Sequence, residues 1–292
     1  MAEIAALRER ARSVKQTLKI TGAMYLLSQA KSRKARGALD TVSPFFEEIY
    51  DTIADVLHHS TEVKHPFFGT ARSPEGEGQG GIVVISGDKG LAGAYNSNIC
   101  NLALEKGAEY RQSTFYVVGE MGRRLLAQKG AKVEEEFDYP ATDPTLSRAW
   151  EMSRLLVRLF KEARLREIWL AYTHVVSPLV VEPRLFPLLP LDLSSPFWQE
   201  KGGAKGDNRL IYVPSVDAVI SRLVPVFLAG VLYSAMVEAF CSENSSRMNA
   251  MKTASENGKE MLDKLTLRYN RLRQDAITAQ IIEVAGGSDA AH

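Results

Sequence analysis

The sequence predicts an α/β fold in which the two ends of the chain form a long antiparallel coiled coil around an inserted Rossmann-like α/β domain. Three observations carry this. Apolar residues recur in alternating steps of three and four along roughly the first sixty positions. The same repeat runs through the last part of the chain. Between them, short apolar runs bounded by glycine alternate with amphipathic helical segments, the pattern of a mostly parallel sheet covered on both faces.

The first repeat reads Ile4, Leu7, Ala11, Val14, Leu18, Thr21, Tyr25, Ser28, Ser32, Ala35, Leu39, Val42, Phe46, Ile49, Ile53, Val56. It keeps one heptad register and weakens only at Thr21, Ser28 and Ser32. The second reads Met251, Ser255, Gly258, Leu262, Leu265, Tyr269, Leu272, Ala276, Ala279. Two helices at opposite ends of a chain can bury such seams against each other. The expected result is a rod, suited to transmitting force or position rather than to enclosing a substrate. The division predicted is 1–65 for the N-terminal helix, 66–215 for the α/β domain and 216–292 for the returning helix.

The elements of the middle follow in order. The Pro/Gly-rich stretch Pro66–Gly81 ends the first helical region. Ile82–Ser86 is a buried strand, and a helix runs from about Asn96 to Tyr110 with Asn96 or Ser97 as its cap. Phe115–Gly119 is a strand, Met121–Gln128 a helix, Thr145–Leu165 an amphipathic helix and Glu167–Val176 a strand. Val181–Leu191 and Arg209–Val213 read as further strands, joined by the loop Ser194–Asn208. From Val216 the chain turns helical almost to its end, a run of roughly 105 Å at 1.5 Å per residue. Val224–Phe240 is apolar but short for a bilayer, holds Pro225 and Glu238, and reads as a helix buried against the α/β body.

Composition narrows the function classes. The 292 residues are 45% apolar and carry a net charge of +1, so the whole molecule is neither a polycation nor an acidic tail protein. Charge is local instead. Arg8, Arg10, Arg12, Lys15, Lys19, Lys31, Arg33, Lys34 and Arg36 stand against the single acid Glu9. This is either a solvated helix face or a basic belt that meets an acidic partner. The N-terminus is Arg-rich like a transit peptide, but its heptad phase continues unbroken to Val56, so it reads as structure. Cys100 and Cys241 lie far apart and read as small buried hydrophobes in a reducing setting. His58, His59 and His65 lack the Cys or paired carboxylates that complete a metal site. The glycine-rich turn Gly87–Asn96 follows a strand and precedes a helix, where backbone amides attract phosphate. Its sequence is neither GxxxxGK[ST] nor GxGxxG, and a tight strand-to-helix turn accounts for it. No nucleophile–base pair, cofactor site or metal set emerges.

Three stretches resemble the gamma subunit of the rotary F-type ATP synthase. Ser13–Met24 with Ala30–Ala35 is similar to the family's SVKNTxKITKAM…AKLRRA stretch. Ile85–Asn96 is similar to ITSDRGLxGxxN. Arg247–Ala254 and Leu265–Thr278 match RMxAMKxAT and LTLxYNxxRQxxIT. The likeness spans nearly the whole chain. It departs at Gly22 (family Lys), at Gly87-Asp88-Lys89 (family Ser-Asp-Arg), at Gln280 (family Glu) and at Ser288 (family Ala). The cysteine-bearing insertion of the chloroplast form is not evident, which argues against a redox-switched rotor.

The resemblance implies a central shaft, not an enzyme in its own right. Its coiled coil would turn inside the hexamer of alpha and beta subunits, and its body would sit on the epsilon subunit and the membrane c-subunit ring. Proton flow would turn the ring, and the shaft would drive ATP synthesis at the beta subunits. The setting implied is the cytoplasmic side of a bacterial-type cell membrane, as a peripheral protein. Met24 would lie near the acidic catch loop of beta, faced by Arg247. Arg273, Gln274, Thr278, Gln280 and Glu283 would contact the catch loop and bearing, and Lys31, Arg33, Lys34 and Arg36 form the basic belt. Two other classes fit parts of the sequence. A scaffold or nucleic-acid-associated protein using the belt would bind DNA with strong salt dependence. A nucleotide-binding enzyme using the Gly87–Gly93 turn would bind a dinucleotide or ATP saturably.

Overall fold

The computed structural model describes residues 2–59, 65–69, 79–177, 180–192, 213 and 215–289. Its elements are α1 (Ala2–His59), β1 (Gly80–Ile85), α2 (Tyr95–Gly107), β2 (Ser113–Val118), α3 (Glu120–Gln128), α4 (Leu146–Lys161), β3 (Glu167–Val175), β4 (Val181–Leu189) and α5 (Val216–Asp289). The chain divides into two compact units, one joining Met1–Ser28 with Arg247–His292, the other Gln29–Ser246. Both α1 and α5 run through both units.

In the first unit the heptad seam is real. Ile4, Leu7, Ala11, Val14, Leu18, Thr21, Met24, Tyr25 and Ser28 are the shielded positions of α1, and Arg247 to Met251, Ser255, Gly258, Leu262, Leu265, Tyr269, Leu272 and Ala276 those of α5. Ala279 is exposed, so the seam ends one step before the predicted limit. The helices are antiparallel. Leu18 lies opposite Gly258, where a Cβ would come within 2.8 Å of the leucine's Cδ2, so the glycine permits a close approach of the two backbones. One step away, Thr21 and Ser255 hydroxyls meet at 2.8 Å. Thr21 donates to the Leu18 carbonyl, which leaves Ser255 as the donor across the seam. The polar weak point in the repeat is thereby a satisfied pair, as burial requires. Near the other end of the seam, Arg268 Nη2 reaches Glu3 Oε1 at 2.8 Å.

The second unit is built on a four-stranded sheet of order β2-β1-β3-β4. β1 is parallel to both β2 and β3, while β4 returns antiparallel to β3. Every residue of β1 is buried, which explains why its sequence is an unbroken apolar run rather than an alternation. One face packs Ile82, Val84, Phe115 and Val117 with Ile99, Cys100, Ala103 and Leu126 of α2 and α3. The other packs Val83, Ile85, Ile168 and Leu170 with Met152 and Leu156 of α4, Phe46 and Ile53 of α1, and Phe227, Leu228, Leu232 and Met236 of α5. The apolar stretch of α5 is therefore core. Among the described residues, α5 is the helix holding a window long and apolar enough to cross a membrane, and 67% of that window is buried. Gly230 admits the Phe46 ring, which a Cβ there would meet well inside van der Waals contact.

Several boundaries shift by one to three residues against the sequence expectation, as helix and strand ends do. One shift changes meaning. The cap position of α2 is Ala94, without a side-chain cap, and Asn96 lies inside the helix. Pro44 and Pro225 both sit inside helices, where proline removes a hydrogen bond. Separately, Ser153 Oγ on α4 donates to the Pro225 carbonyl at 2.7 Å. The expected loop Ser194–Asn208 and all of the expected strand Arg209–Val213 except Val213, a bend, lie outside the described residues.

Candidate functional site

The residues singled out by the resemblance fall into separate places. Met24 is half-buried on α1, in the first unit. The register set by Thr21 and Ser255 brings it level with Lys252. Arg247, also half-buried, lies about one and a half turns further along α5. Arg273, Gln274, Thr278 and Gln280 are all exposed on α5, C-terminal to the Arg268–Glu3 contact. Glu283 belongs to the same helix, and its side chain lies outside the described residues. Lys31, Arg33, Lys34 and Arg36 are exposed on the part of α1 that belongs to the second unit. Lys31 and Lys34 border a half-open cavity of ≈ 320 Å³ floored by Ala35, Tyr233, Val237 and Phe240. His65, of the histidine group, accepts the Phe67 amide at Nδ1 (3.3 Å), so Nε2 is the ring donor to Ser221 Oγ at 2.9 Å. Burial lowers its pKa, partly opposed by Asp217. Both cysteines are buried, and burial pushes the Cys100 thiol up to about 11, which keeps it a thiol at neutral pH.

The glycine-rich turn after β1 shows what its polar residues do. Ser86 Oγ donates to the Val118 carbonyl at 2.8 Å and accepts the Gly122 amide at 3.0 Å, tying β1 to the start of α3. Asn96 Oδ1 accepts the Gly87 amide at 2.8 Å, and its Nδ2 donates to the Lys89 carbonyl at 3.3 Å. The asparagine is thus a clip across the turn rather than a helix cap. Gly93 has φ +60° and Leu91 has φ +62°; glycine adopts that conformation freely, and leucine does so only under strain. Leu91 is also 63% exposed.

Asp88 is the hub. Its carboxylate accepts the Glu120 amide (3.3 Å), the Ala141 amide (3.0 Å), the Thr142 amide (2.8 Å) and the Thr142 hydroxyl (2.6 Å). Burial raises its pKa, but the bonds from Thr142, Ala141 and Glu120 outweigh that and hold it below the ordinary carboxylate value. The amide at the N-terminus of α3, the natural anion seat beside this turn, is therefore filled by the chain's own carboxylate. A phosphate would have to displace Asp88. The resemblance passed over Asp88 and Asn96 as pattern letters; a lone acid between glycines, just before a helix, was the available signal.

An antiparallel coiled-coil unit, and a Rossmann-like unit whose glycine-rich turn after β1 is closed by its own side chains, are the features of a stalk-type subunit. The ATP synthase family model matches residues 3–291. The ATP synthase gamma chain of Ruminiclostridium cellulolyticum is 40% identical over 286 residues, covering 97% of each chain. The sodium-ion-specific ATP synthase gamma chain of Acetobacterium woodii is 31% identical, again over 97% of both. A chain in the rotor of the Euglena gracilis mitochondrial ATP synthase shares the fold at a TM-score of 0.63, with 15% identity over 94% of this chain and 99% of that one. The protein belongs to the ATP synthase gamma chain family, the central stalk of the rotary F-type enzyme.

Proposed function

We propose that this chain is the non-catalytic shaft that couples ion-driven rotation of the membrane c-subunit ring to ATP synthesis at the beta subunits. It works inside the hexamer of alpha and beta, above the epsilon subunit and the ring, as a peripheral protein on the cytoplasmic face of the membrane. The observation that carries this is the pair of helices, α1 and α5, that run through both compact units. Each of these helices contributes apolar residues to the core of the body and to the two-stranded seam.

The exposed row Arg273, Gln274, Thr278 and Gln280, with Glu283, supplies the polar contacts to the stationary subunits. Arg273 offers a planar fork that pairs two-pronged with a carboxylate, a bond about twice as strong as a neutral one. Met24 and Arg247 lie near the acidic catch loop, with Lys252 rather than Arg247 level with Met24. The belt Lys31, Arg33, Lys34 and Arg36 meets acidic surface of the same assembly. In the three-part division, 1–65 supplies the first strand of the shaft, 66–215 the body and 216–292 the second strand. Purification of the tagged chain from membranes tests the reading. Alpha, beta and epsilon should accompany it in fixed ratio, and the chain alone should turn over no ATP. Recovery as a free ATPase, or as a DNA-bound protein released by salt, would overturn it.

A further inference from the structure

The sheet order places β1 between two parallel neighbours, so the chain reverses its winding between β1 and β3. In open α/β sheets, that reversal opens a crevice at the carboxyl ends of the strands, where such folds bind ligands. Here the crevice is filled by α5. Its segment Ser242–Ser245 is polar yet buried, with Ser242 at 0%, Glu243 at 5%, Asn244 at 1% and Ser245 at 9% exposure. Ser242 Oγ donates to the Thr173 carbonyl at the end of β3, at 2.7 Å. Tyr95, the first residue of α2, donates its hydroxyl to the Ala239 carbonyl of α5 at 3.0 Å. The carboxyl group of Glu243 lies on Gly87, where a Cβ would stand 2.7 Å from its Oε1. The turn after β1, the end of β3 and the start of α2 therefore grip one short stretch of α5. These three grips lie at positions 239, 242 and 243 on neighbouring turns of the helix, which resists rolling as well as sliding.

We propose that Glu243 is a positioning residue for rotary coupling: a key whose carboxyl end, seated against Gly87, stops α5 from turning about its own axis within the body. This rests on the stalk reading. Glutamate is almost never buried this deeply unless it is paired, so polar contact as well as packing sets its place here. Packing alone would be met by an apolar side chain, as it is at Val237 and Phe240 on the same helix. Gly87 has an ordinary φ, so alanine there is tolerated by the backbone and opposed only by what fills the socket, Glu243 and the Asn96 oxygen at 3.2 Å.

The test uses the assembled complex in membrane vesicles and reads ions pumped per ATP hydrolysed. Glu243→Ala should leave the complex assembled and hydrolysing while the ratio falls at least threefold. Glu243→Gln, of the same length and shape, should keep it near normal. Gly87→Ala should lower the ratio too, and Gly87→Ala with Glu243→Ala should be no worse than Glu243→Ala alone. If Glu243→Ala fails to assemble, Glu243→Asp, shorter by one methylene, replaces it and should give a partial loss. An unchanged ratio in the truncated variant, a parallel fall of pumping and hydrolysis, or strictly additive losses in the double variant would each overturn the key. A wild-type chain that never enters the complex would instead overturn the stalk reading itself.

Discussion

Replacing Asp88 by asparagine should loosen the 141–142 segment from the turn after β1, and the size of the effect follows from the bonds. Asp88 Oδ1 accepts two amides, from Glu120 and Ala141, and Oδ2 accepts the Thr142 amide and hydroxyl. Asparagine keeps one oxygen and presents an NH₂ where the other stood. The NH₂ would face the Thr142 amide, donor against donor, and the hydroxyl would have to turn. Bonds to a charged acceptor are worth about 1.5–3 kcal/mol each when buried. Asp88 is only partly buried, so a net local loss of about 2 kcal/mol is a fair scale, a factor of about thirty in an opening equilibrium. Hydrogen exchange followed by mass spectrometry on the intact complex reads this directly. Protection of the Ala141 and Thr142 amides should fall by one to two orders of magnitude, while amides of β1 stay slow. The wild-type segment should also loosen in acid. Because the folded pKa lies below the unfolded value, the carboxylate's contribution is complete above about pH 4 and is lost as pH falls through the folded pKa. Asp88→Asn should lack that acid step. Protection unchanged in the variant, or an equal acid step in both proteins, would refute the hub assignment.

Three further outcomes are expected. Gly230→Leu should destabilise the body by about 1–3 kcal/mol or more, since Phe46 is buried and has no room to retreat; thermal unfolding of the chain measures it. Met24→Lys sets a cation level with Lys252, and should shift coupling energies by about one to three kcal/mol. ATP-driven pumping would then fall while hydrolysis survives, and a parallel fall would mark the residue as structural. Arg273→Ala with Gln274→Ala should leave the complex assembled but slow ATP synthesis several-fold, because both side chains are exposed on α5; a normal rate would return them to solvent.

The helices were legible because their signal is periodic and long. The steps of three and four from Ile4 to Ile53 fall on shielded positions of α1, including Thr21, which pairs with Ser255 of α5. The strands were legible for the opposite reason: β1 and β3 are short apolar runs between glycines or turns. Side-chain roles in the turn were not. Asn96 has the composition of a cap, and only the fold shows that its amide spans to Gly87 and Lys89. Asp88 lies within a glycine-rich turn, yet its partners Ala141 and Thr142 lie more than fifty positions away. Glu243 drew no notice, although the polar run Ser242–Ser246 directly after a long apolar stretch was a visible anomaly. Local sequence reports periodicity; it does not report which distant backbone a polar group will meet.

The Glu3–Arg268 contact has a consequence for how such a complex is put together. Past it, Tyr269, Leu272 and Ala276 are the shielded positions among the described residues, and α5 continues from Arg273 to Asp289. A single helix of roughly five turns is marginal in water on its own. Ile277, Ile281 and Ile282 are exposed along it. Such a terminus gains its order from whatever houses it, so threading and helix formation become one event. The free energy of ordering is then drawn from the binding step. A chain waiting for its partners would therefore be the form most open to proteases, and entry into the assembly its own quality check.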